Sequence, residues 1–499
     1  MSGVGAKIAK GSAWITAARA LVNLLGFVAT IVLARMLVPA DFGLVAIGTT
    51  ILAIVTAVTN LSLAQALVQH RAPTDAHFHA VWTLGALRGL AIAALFSATA
   101  GLVAKFFADV RLIPIMHALG FSVFLSGLAN PRRVMLQKDL VFWQDFVLNV
   151  SQKLVGVVAS ITIALIYRSY WALIIGTIAG QIANVVISYT ALPFLPRPTL
   201  RHFRELWSFS VWLTLGQVIN TINWRFDQLL IGKFLGRADL GYYTVGDNLA
   251  QLPTREATLP LTQTLYPAFS RMEGDAGRLR RGYQRAQALI TAIALPIGVG
   301  TALIARPAIL LTMGAKWLPA VIVVETLAAI FALQTLGTLA GPLGMALGRT
   351  KLLFRRDMQL FVIRLPIIVA SLYFGGFAGI VAARVFTGLI AIGFNVVLVR
   401  QLIGLRVRAQ FAANGRALAA TGAMVTIVLL TQAALPGLVV LHLGWQIGVI
   451  VAAAATVYIG TTAALWLAAG RPAGPEQEIV ALGLGFLRRV RRRPSGRSA

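Results

Sequence analysis

Between Trp212 and Pro267 an otherwise apolar stretch carries Arg225, Asp227, Asp247, Arg255 and Glu256. A charge at bilayer depth costs about 2.5–3.5 kcal/mol on insertion scales, so such groups face a protein interior or a watery cavity. Their spacing is ordered. Thr244, Asp247, Gln251, Thr254, Arg255, Thr258 and Thr262 fall on one face of a helix running from Tyr243 to Tyr266. Upstream, Gln217, Asn220, Asn223 and Asp227 make a second stripe. Arg225 and Asp227 are two residues apart, point in different directions and do not simply neutralise each other. Near the N-terminus, Ser12, Thr16, Arg19, Asn23 and Thr30 form a third stripe. Spanning helices with such stripes would wall a hydrophilic cleft inside a membrane.

The chemistry of that cleft follows from its charge balance. Seven basic residues lie within apolar runs: Arg19, Arg88, Lys153, Arg225, Arg255, Arg364 and Arg384. Four acids do: Asp227, Asp247, Glu256 and Glu325. An excess of guanidinium suits phosphate, which arginine grips with two parallel hydrogen bonds. The substrate-binding candidates are therefore Arg19, Asn23, Arg88, Lys153, Asn223, Arg225, Gln251, Arg255 and Arg364. Asp227, Asp247 and Glu256 are the candidates for coupling to a proton or sodium gradient. The plain alternative is that some of these charges snorkel to headgroups or brace the bundle, and that reading is preferred for Arg384 and Glu325. No catalytic or metal-ligating set is expected. His70, His77 and His79 sit in one polar loop without matching ligands elsewhere, and no phosphate-binding glycine loop or nucleophile elbow is present.

The elements that must carry these residues are long helices. The chain has 499 residues, 58% of them hydrophobic and 12% charged, and a mean hydropathy of +0.80, which is the composition of a polytopic membrane protein. It lacks cysteine, which excludes a disulfide framework and thiolate chemistry. About fourteen runs are long enough to cross, near 12–36, 43–68, 80–105, 112–135, 146–167, 171–193, 207–233, 240–266, 286–306, 319–347, 355–374, 377–401, 416–435 and 443–469. The first run holds Arg19 and lacks a small-residue cleavage site, so a cleavable signal peptide is not expected.

A net charge of +28 would suggest a nucleic-acid partner in a soluble protein; here topology is the better cause, and no such partner is expected. Alternate loops hold 29 basic residues on one side. The other side has eight: Arg35, Lys105, Arg111, Arg168, Lys233, Arg237, Arg306 and Lys316. That split places both termini in the cytoplasm. The run Arg488-Arg489-Val490-Arg491-Arg492-Arg493 makes the tail a candidate for contact with anionic lipid, or a solvated topogenic signal.

An internal repeat organises the spans. Leu37-Val38-Pro39-Ala40-Asp41-Phe42-Gly43 reads against Leu235-Gly236-Arg237-Ala238-Asp239-Leu240-Gly241 at an offset of 198, which also carries Ser12 to Ser210, Trp14 to Trp212 and Arg35 to Lys233. An even number of spans separates the copies, so the repeats are parallel. The expected fold is all-α: two pseudo-symmetric six-helix lobes, 1–195 and 196–410, then two extra helices in 411–470 and a basic tail, 471–499. Asp41 and Asp239 are expected as helix N-caps, and Pro253 and Pro260 as a hinge or a static bend.

The residues also resemble a family. Val38-Pro39-Ala40-Asp41-Phe42-Gly43, Leu136-Gln137-Lys138-Asp139, Asp227-Gln228-Leu229-Leu230-Ile231-Gly232 and Leu240-Gly241-Tyr242-Tyr243 look like segments of Wzx-type oligosaccharide flippases. So do Tyr266-Pro267-Ala268-Phe269-Ser270-Arg271, Gly314-Ala315-Lys316-Trp317 and Ala346-Leu347-Gly348-Arg349. These flippases belong to the multidrug/oligosaccharidyl-lipid/polysaccharide exporter superfamily, and the resemblance covers about residues 8–410. It implies two six-helix lobes plus two helices. It also implies transport of sugars linked to polyprenyl pyrophosphate across the bacterial inner membrane, for exopolysaccharide, capsule or O-antigen assembly. Alternating access driven by a proton or sodium gradient is the implied mechanism, with no bound cofactor. A polysaccharide polymerase and export machinery are the implied protein partners. Two alternatives stand beside it. A peptidoglycan-precursor flippase or drug antiporter of the same superfamily is one, although an antiporter for cationic drugs should show an acidic cleft. A membrane polysaccharide polymerase is the other, and it should offer a large outer loop with catalytic residues.

Overall fold

The computed structural model describes residues 3–59, 67, 73–138, 142–200, 211–434, 443–472 and 474–477. The described elements are helices, without a β-strand among the described residues. In chain order they are α1 (Gly3–Met36), α2 (Pro39–Val58), α3 (Asp75–Phe107), α4 (Leu112–Gly127), the short α5 (Arg133–Lys138), α6 (Phe142–Tyr167), α7 (Trp171–Ala191) and α8 (Val211–Phe234). Then come α9 (Arg237–Ser270), α10 (Ala276–Leu303), α11 (Ala305–Thr312), α12 (Val321–Gln334), α13 (Ala340–Ala346), α14 (Thr350–Ile403), α15 (Val407–Ala412), α16 (Gly415–Ala434) and α17 (Leu443–Ala468).

Among the described residues, ten stretches of helix are long and apolar enough to cross a membrane. The 54-residue α14 is one of these, yet Gly376 breaks it with φ 54° and ψ −134°, backbone angles that favour glycine. It therefore holds the two adjacent runs expected at 355–374 and 377–401. With α4, α8 and α9, the last two too polar to stand out by composition, the elements are consistent with the fourteen expected spans. The basic run 488–493 and the loop around His70 lie outside the described residues.

Local chemistry sets the helix ends. Pro39 opens α2 with its φ already helical and no N–H to satisfy. Asp41 is not the N-cap that the sequence suggests. It occupies the third helical position, and its Oδ2 accepts the Val38 N–H at 3.3 Å, because a carboxylate there reaches back over the first turn. Asp239 likewise lies inside the first turn of α9 rather than before it. Asp275 does cap α10, accepting the Arg278 N–H at 2.9 Å. Pro253 and Pro260 are accommodated within a continuous α9.

The chain forms two compact units. The first comprises residues 1–245 with two short segments, 312–317 and 372–377; the second comprises 246–311, 318–371 and 378–499. In the first unit α3 packs on α4, α6 on α7, α1 on α6 and α8 on α2. Small residues let backbones touch: a Cβ on Gly85 would lie 3.1 Å from the Gly127 carbonyl, and one on Gly89 2.9 Å from Phe124 Cα. Close backbone approach replaces the hydrophobic drive that lipid cannot supply. In the second unit α10 packs against α12 and α16, and α16 against α17. Phe269, Leu279, Tyr283, Leu339 and Leu343 are buried together there.

The repeat read at offset 198 is a physical contact. A Cβ on Gly43 would collide with the Arg237 carbonyl, and one on Gly241 with the Pro39 carbonyl. Pro39 and Arg237 are themselves 198 apart, so each copy of the motif presents the same glycine to the same carbonyl of the other.

Candidate functional site

Arg19 and Asn23 lie on α1, with Arg19 exposed and Asn23 half-buried. The Arg19 guanidinium has no hydrogen-bond partner among the described residues. Lys153, on α6, runs along α1 where Gly26 leaves room: a Cβ there would lie 3.2 Å from its Nζ. Arg88, on α3, is committed to α2, donating Nε to Thr59 Oγ1 at 3.2 Å and Nη2 to the Thr56 carbonyl at 2.9 Å. It thereby satisfies a carbonyl of the last helical turn.

On α8 the polar residues form a node. Gln228 Oε1 accepts from Thr50 Oγ1 at 2.7 Å and from Arg225 Nη1 at 3.2 Å. Asp227 is fully buried; its Oδ2 accepts from the Tyr243 hydroxyl at 2.5 Å and its Oδ1 from the Gln228 N–H at 3.1 Å. Asn223 is buried one turn earlier, and its Oδ1 has no partner among the described residues.

In the second unit Asp247 faces Arg384, with Oδ1 3.6 Å from Nη2. Arg384 is 5% exposed and its guanidinium lies over the Phe331 ring at 5.8 Å. Arg364 is buried too. Farther along α9, Gln251 and Glu256 are half-buried, Thr254 packs beside Gly298, and Arg255 is exposed without a hydrogen-bond partner among the described residues. The intramembrane charges thus divide. Arg88, Asp227, Asp247 and Arg384 are engaged within their units, whereas Arg19 and Arg255 make no hydrogen bond or ion pair among the described residues.

Three clusters escaped the sequence reading. Arg133 donates to Asp145 Oδ1 (3.2 Å), Asn184 Oδ1 (2.9 Å) and Asn149 Oδ1 (2.7 Å) in the first unit. In the second, Arg356 donates to Asp357 Oδ1 (3.0 Å) and Asn395 Oδ1 (2.9 Å). The signal for this pair was available: Asn184-Val185-Val186-Ile187 reads against Asn395-Val396-Val397-Leu398 at an offset of 211. The third cluster seals the end of α1. Lys316 Nζ donates to the Arg35 and Leu37 carbonyls at 2.8 and 2.7 Å, and Trp317 Nε1 donates to the Ala34 carbonyl at 2.9 Å. The Gly314-Ala315-Lys316-Trp317 motif therefore supplies the donors that the last carbonyls of α1 lack.

Long apolar helices, glycine-mediated packing and charges kept at bilayer depth define a multi-pass membrane transporter fold. A solved structure of the lipid II flippase MurJ in an inward closed conformation has a TM-score of 0.71 to this chain at 14% identity, covering 91% of this chain and 99% of MurJ. The chain belongs to the polysaccharide biosynthesis protein family, whose model matches residues 32–322. Among its relatives, the lipopolysaccharide biosynthesis protein WzxC of Escherichia coli K12 is 23% identical over 383 residues, covering 75% of this chain and 77% of WzxC. The succinoglycan biosynthesis transport protein ExoT of Rhizobium meliloti 1021 is 26% identical over 303 residues, covering 59% of this chain and 60% of ExoT.

Proposed function

We propose that the protein is a flippase. It moves oligosaccharide units linked to polyprenyl pyrophosphate from the inner to the outer leaflet of the bacterial inner membrane, with both termini in the cytoplasm. The observation that carries this reading is the pair Arg19 and Arg255: exposed guanidiniums in mid-helix, without partners among the described residues, in a polysaccharide biosynthesis chain. A pyrophosphate entering hydrocarbon loses its water at a prohibitive Born cost, and fixed positive charges replace that water. Several shared contacts suit transport better than one deep site, because the cargo must also leave. Arg19 and Arg225 in the first unit and Arg255 in the second are the proposed phosphate contacts, and Asn23, Arg88, Lys153, Asn223, Gln251 and Arg364 are the further proposed substrate contacts. The inward proton or sodium gradient acts through Asp227, Asp247 or Glu256 during alternating access. WzxC and ExoT, named for lipopolysaccharide and succinoglycan biosynthesis, support the glycan cargo.

Gene deletion followed by lipid extraction tests this reading. Oligosaccharide linked to polyprenyl pyrophosphate should accumulate on the cytoplasmic side while the surface polysaccharide disappears. Accumulation of a peptidoglycan precursor instead would assign the chain to that cargo, and an unaltered lipid pool would remove the flippase reading.

A further inference from the structure

The positive-inside rule depletes basic residues from the outer side, so those that remain there call for a reason. Four of the eight, Lys105, Arg111, Lys233 and Arg237, gather in one place in the first unit. They come from distant parts of the chain, the α3–α4 turn and the α8–α9 turn. Asp109 accepts from Arg111 Nη2 at 2.6 Å and from Arg237 Nη1 at 2.8 Å, so one carboxylate serves two guanidiniums. Lys233 Nζ lies 4.6 Å from the centroid of the Phe106 ring and donates to the Phe106 carbonyl. Lys105 is exposed, with no partner among the described residues. Asp41 also acts on Arg111, so the four cations set against Asp109 and Asp41 leave a net excess of two positive charges.

Its neighbours are apolar and uncovered. Phe106 is 57% exposed, Phe234 65% and Val110 76%. Exposed apolar side chains call for hydrocarbon, and uncompensated cations at the same level call for an anion. A phospholipid supplies both, at the boundary between its phosphate and its acyl chains. We infer that this patch is a binding site for the headgroup of an anionic phospholipid of the outer leaflet. Only the choice of leaflet rests on the proposed topology; the binding does not depend on flippase activity.

The absence of cysteine permits a local readout. Val110→Cys carries a fluorophore beside the patch, in full-length protein reconstituted in mixed phosphatidylcholine and phosphatidylglycerol vesicles. Quenching by brominated phosphatidylglycerol is compared with quenching by brominated phosphatidylcholine. The expected result is a preference for phosphatidylglycerol of about fivefold or more, the effect of roughly one surface charge. Lys233→Gln/Arg237→Gln should bring the ratio close to one, and Arg488→Gln/Arg489→Gln in the tail should leave it unchanged. Lys105→Glu, which breaks no hydrogen bond or ion pair among the described residues, should lower the ratio and carries the test if the double variant fails to insert. Equal quenching by the two lipids, or a ratio unmoved by Lys105→Glu, overturns the inference. So does relief of phosphatidylglycerol quenching by a trace of polyprenyl pyrophosphate, which would make the patch part of the cargo path. None of these outcomes reports on transport itself.

Discussion

Arg255 and Arg384 show how differently two intramembrane arginines can be placed. Arg384 has a counter-charge in Asp247 and a ring face in Phe331; among the described residues Arg255 has neither. An unpaired guanidinium is retained where something else neutralises it, which the proposed pyrophosphate does during transport. Arg255→Ala should therefore abolish polysaccharide export at unchanged expression. Arg255→Lys should keep a minor part, because the charge persists and the bidentate fork is lost. Export at the wild-type rate by alanine variants of Arg19, Arg225 and Arg255 alike would place the cargo elsewhere. Asp247 calls for a different experiment, since removing it strands a buried cation at a cost of about 3–5 kcal/mol. Asp247→Asn should lower the thermal melting point, and Arg384→Met in the same chain should recover most of the loss. If the double variant is stable and its transport still follows the ion gradient, Asp247 acts as a brace rather than a coupling group. Outside the spans, the Arg111 hydrogen bond holds the Asp109 carboxyl below its ordinary range. The tie thus contributes fully at neutral pH and fades only as pH falls through that lowered value. The gap in melting temperature between wild type and Asp109→Asn should stay constant from pH 7 to pH 5 and close only in stronger acid.

At the scale of elements, the reciprocal contact of Gly43 and Gly241 makes the sequence repeat a structural one. A methyl group at either position meets a backbone carbonyl that no rotamer change can move, and such overpacking costs about 1–3 kcal/mol. Gly43→Ala and Gly241→Ala should each lower the melting temperature. Gly101→Ala should leave it unchanged or raise it slightly, since its Cβ would meet nothing within 4 Å and alanine is the better helix former. Equal behaviour of the three variants would count against the close approach. This contact also marks what the sequence discloses. The all-helical membrane class and the placement of the long helices were legible because a span needs a fixed length of apolar residues, and the 198 offset was legible because the motif is local. The polar stripes were legible as faces, but not what each face meets. Asp247 finds Arg384 from 137 positions away, and Asp227 finds Tyr243 on the next helix. Tertiary packing alone sets such partners. The Arg133 and Arg356 nodes were missed for a related reason: Asn184 and Asn395 are 211 apart but Arg133 and Arg356 are 223 apart, so the two nodes share no one offset and neither pair falls at 198.

For the whole molecule, the governing quantity is where the positive charge sits. A chain with a net charge of +28 cannot distribute it evenly across an energised membrane, because each cation moved to the outer side works against about 2.3 kcal/mol per 100 mV. The division of 29 basic residues against eight is the basis of the proposed topology, in which the loops after Arg204 and Arg281 are cytoplasmic and those after Arg168 and Lys316 are outside. The clasp formed by Lys316 and Trp317 on the end of α1 bears on the same point. It groups Lys316 with Arg35 in one unit, so both must lie at the same membrane face. The outer phospholipid patch inherits its leaflet from this map. A reporter active only in the cytoplasm should accordingly be active when fused after Arg204 or Arg281 and silent after Arg168 or Lys316. A reporter that works only outside should give the complementary pattern. Reversal at any two of the four sites would invert the map and place the Lys105–Arg237 patch on the cytoplasmic leaflet. Binding of phosphatidylglycerol there would survive that inversion, whereas the direction of transport proposed for the cargo would have to be re-derived from the new orientation.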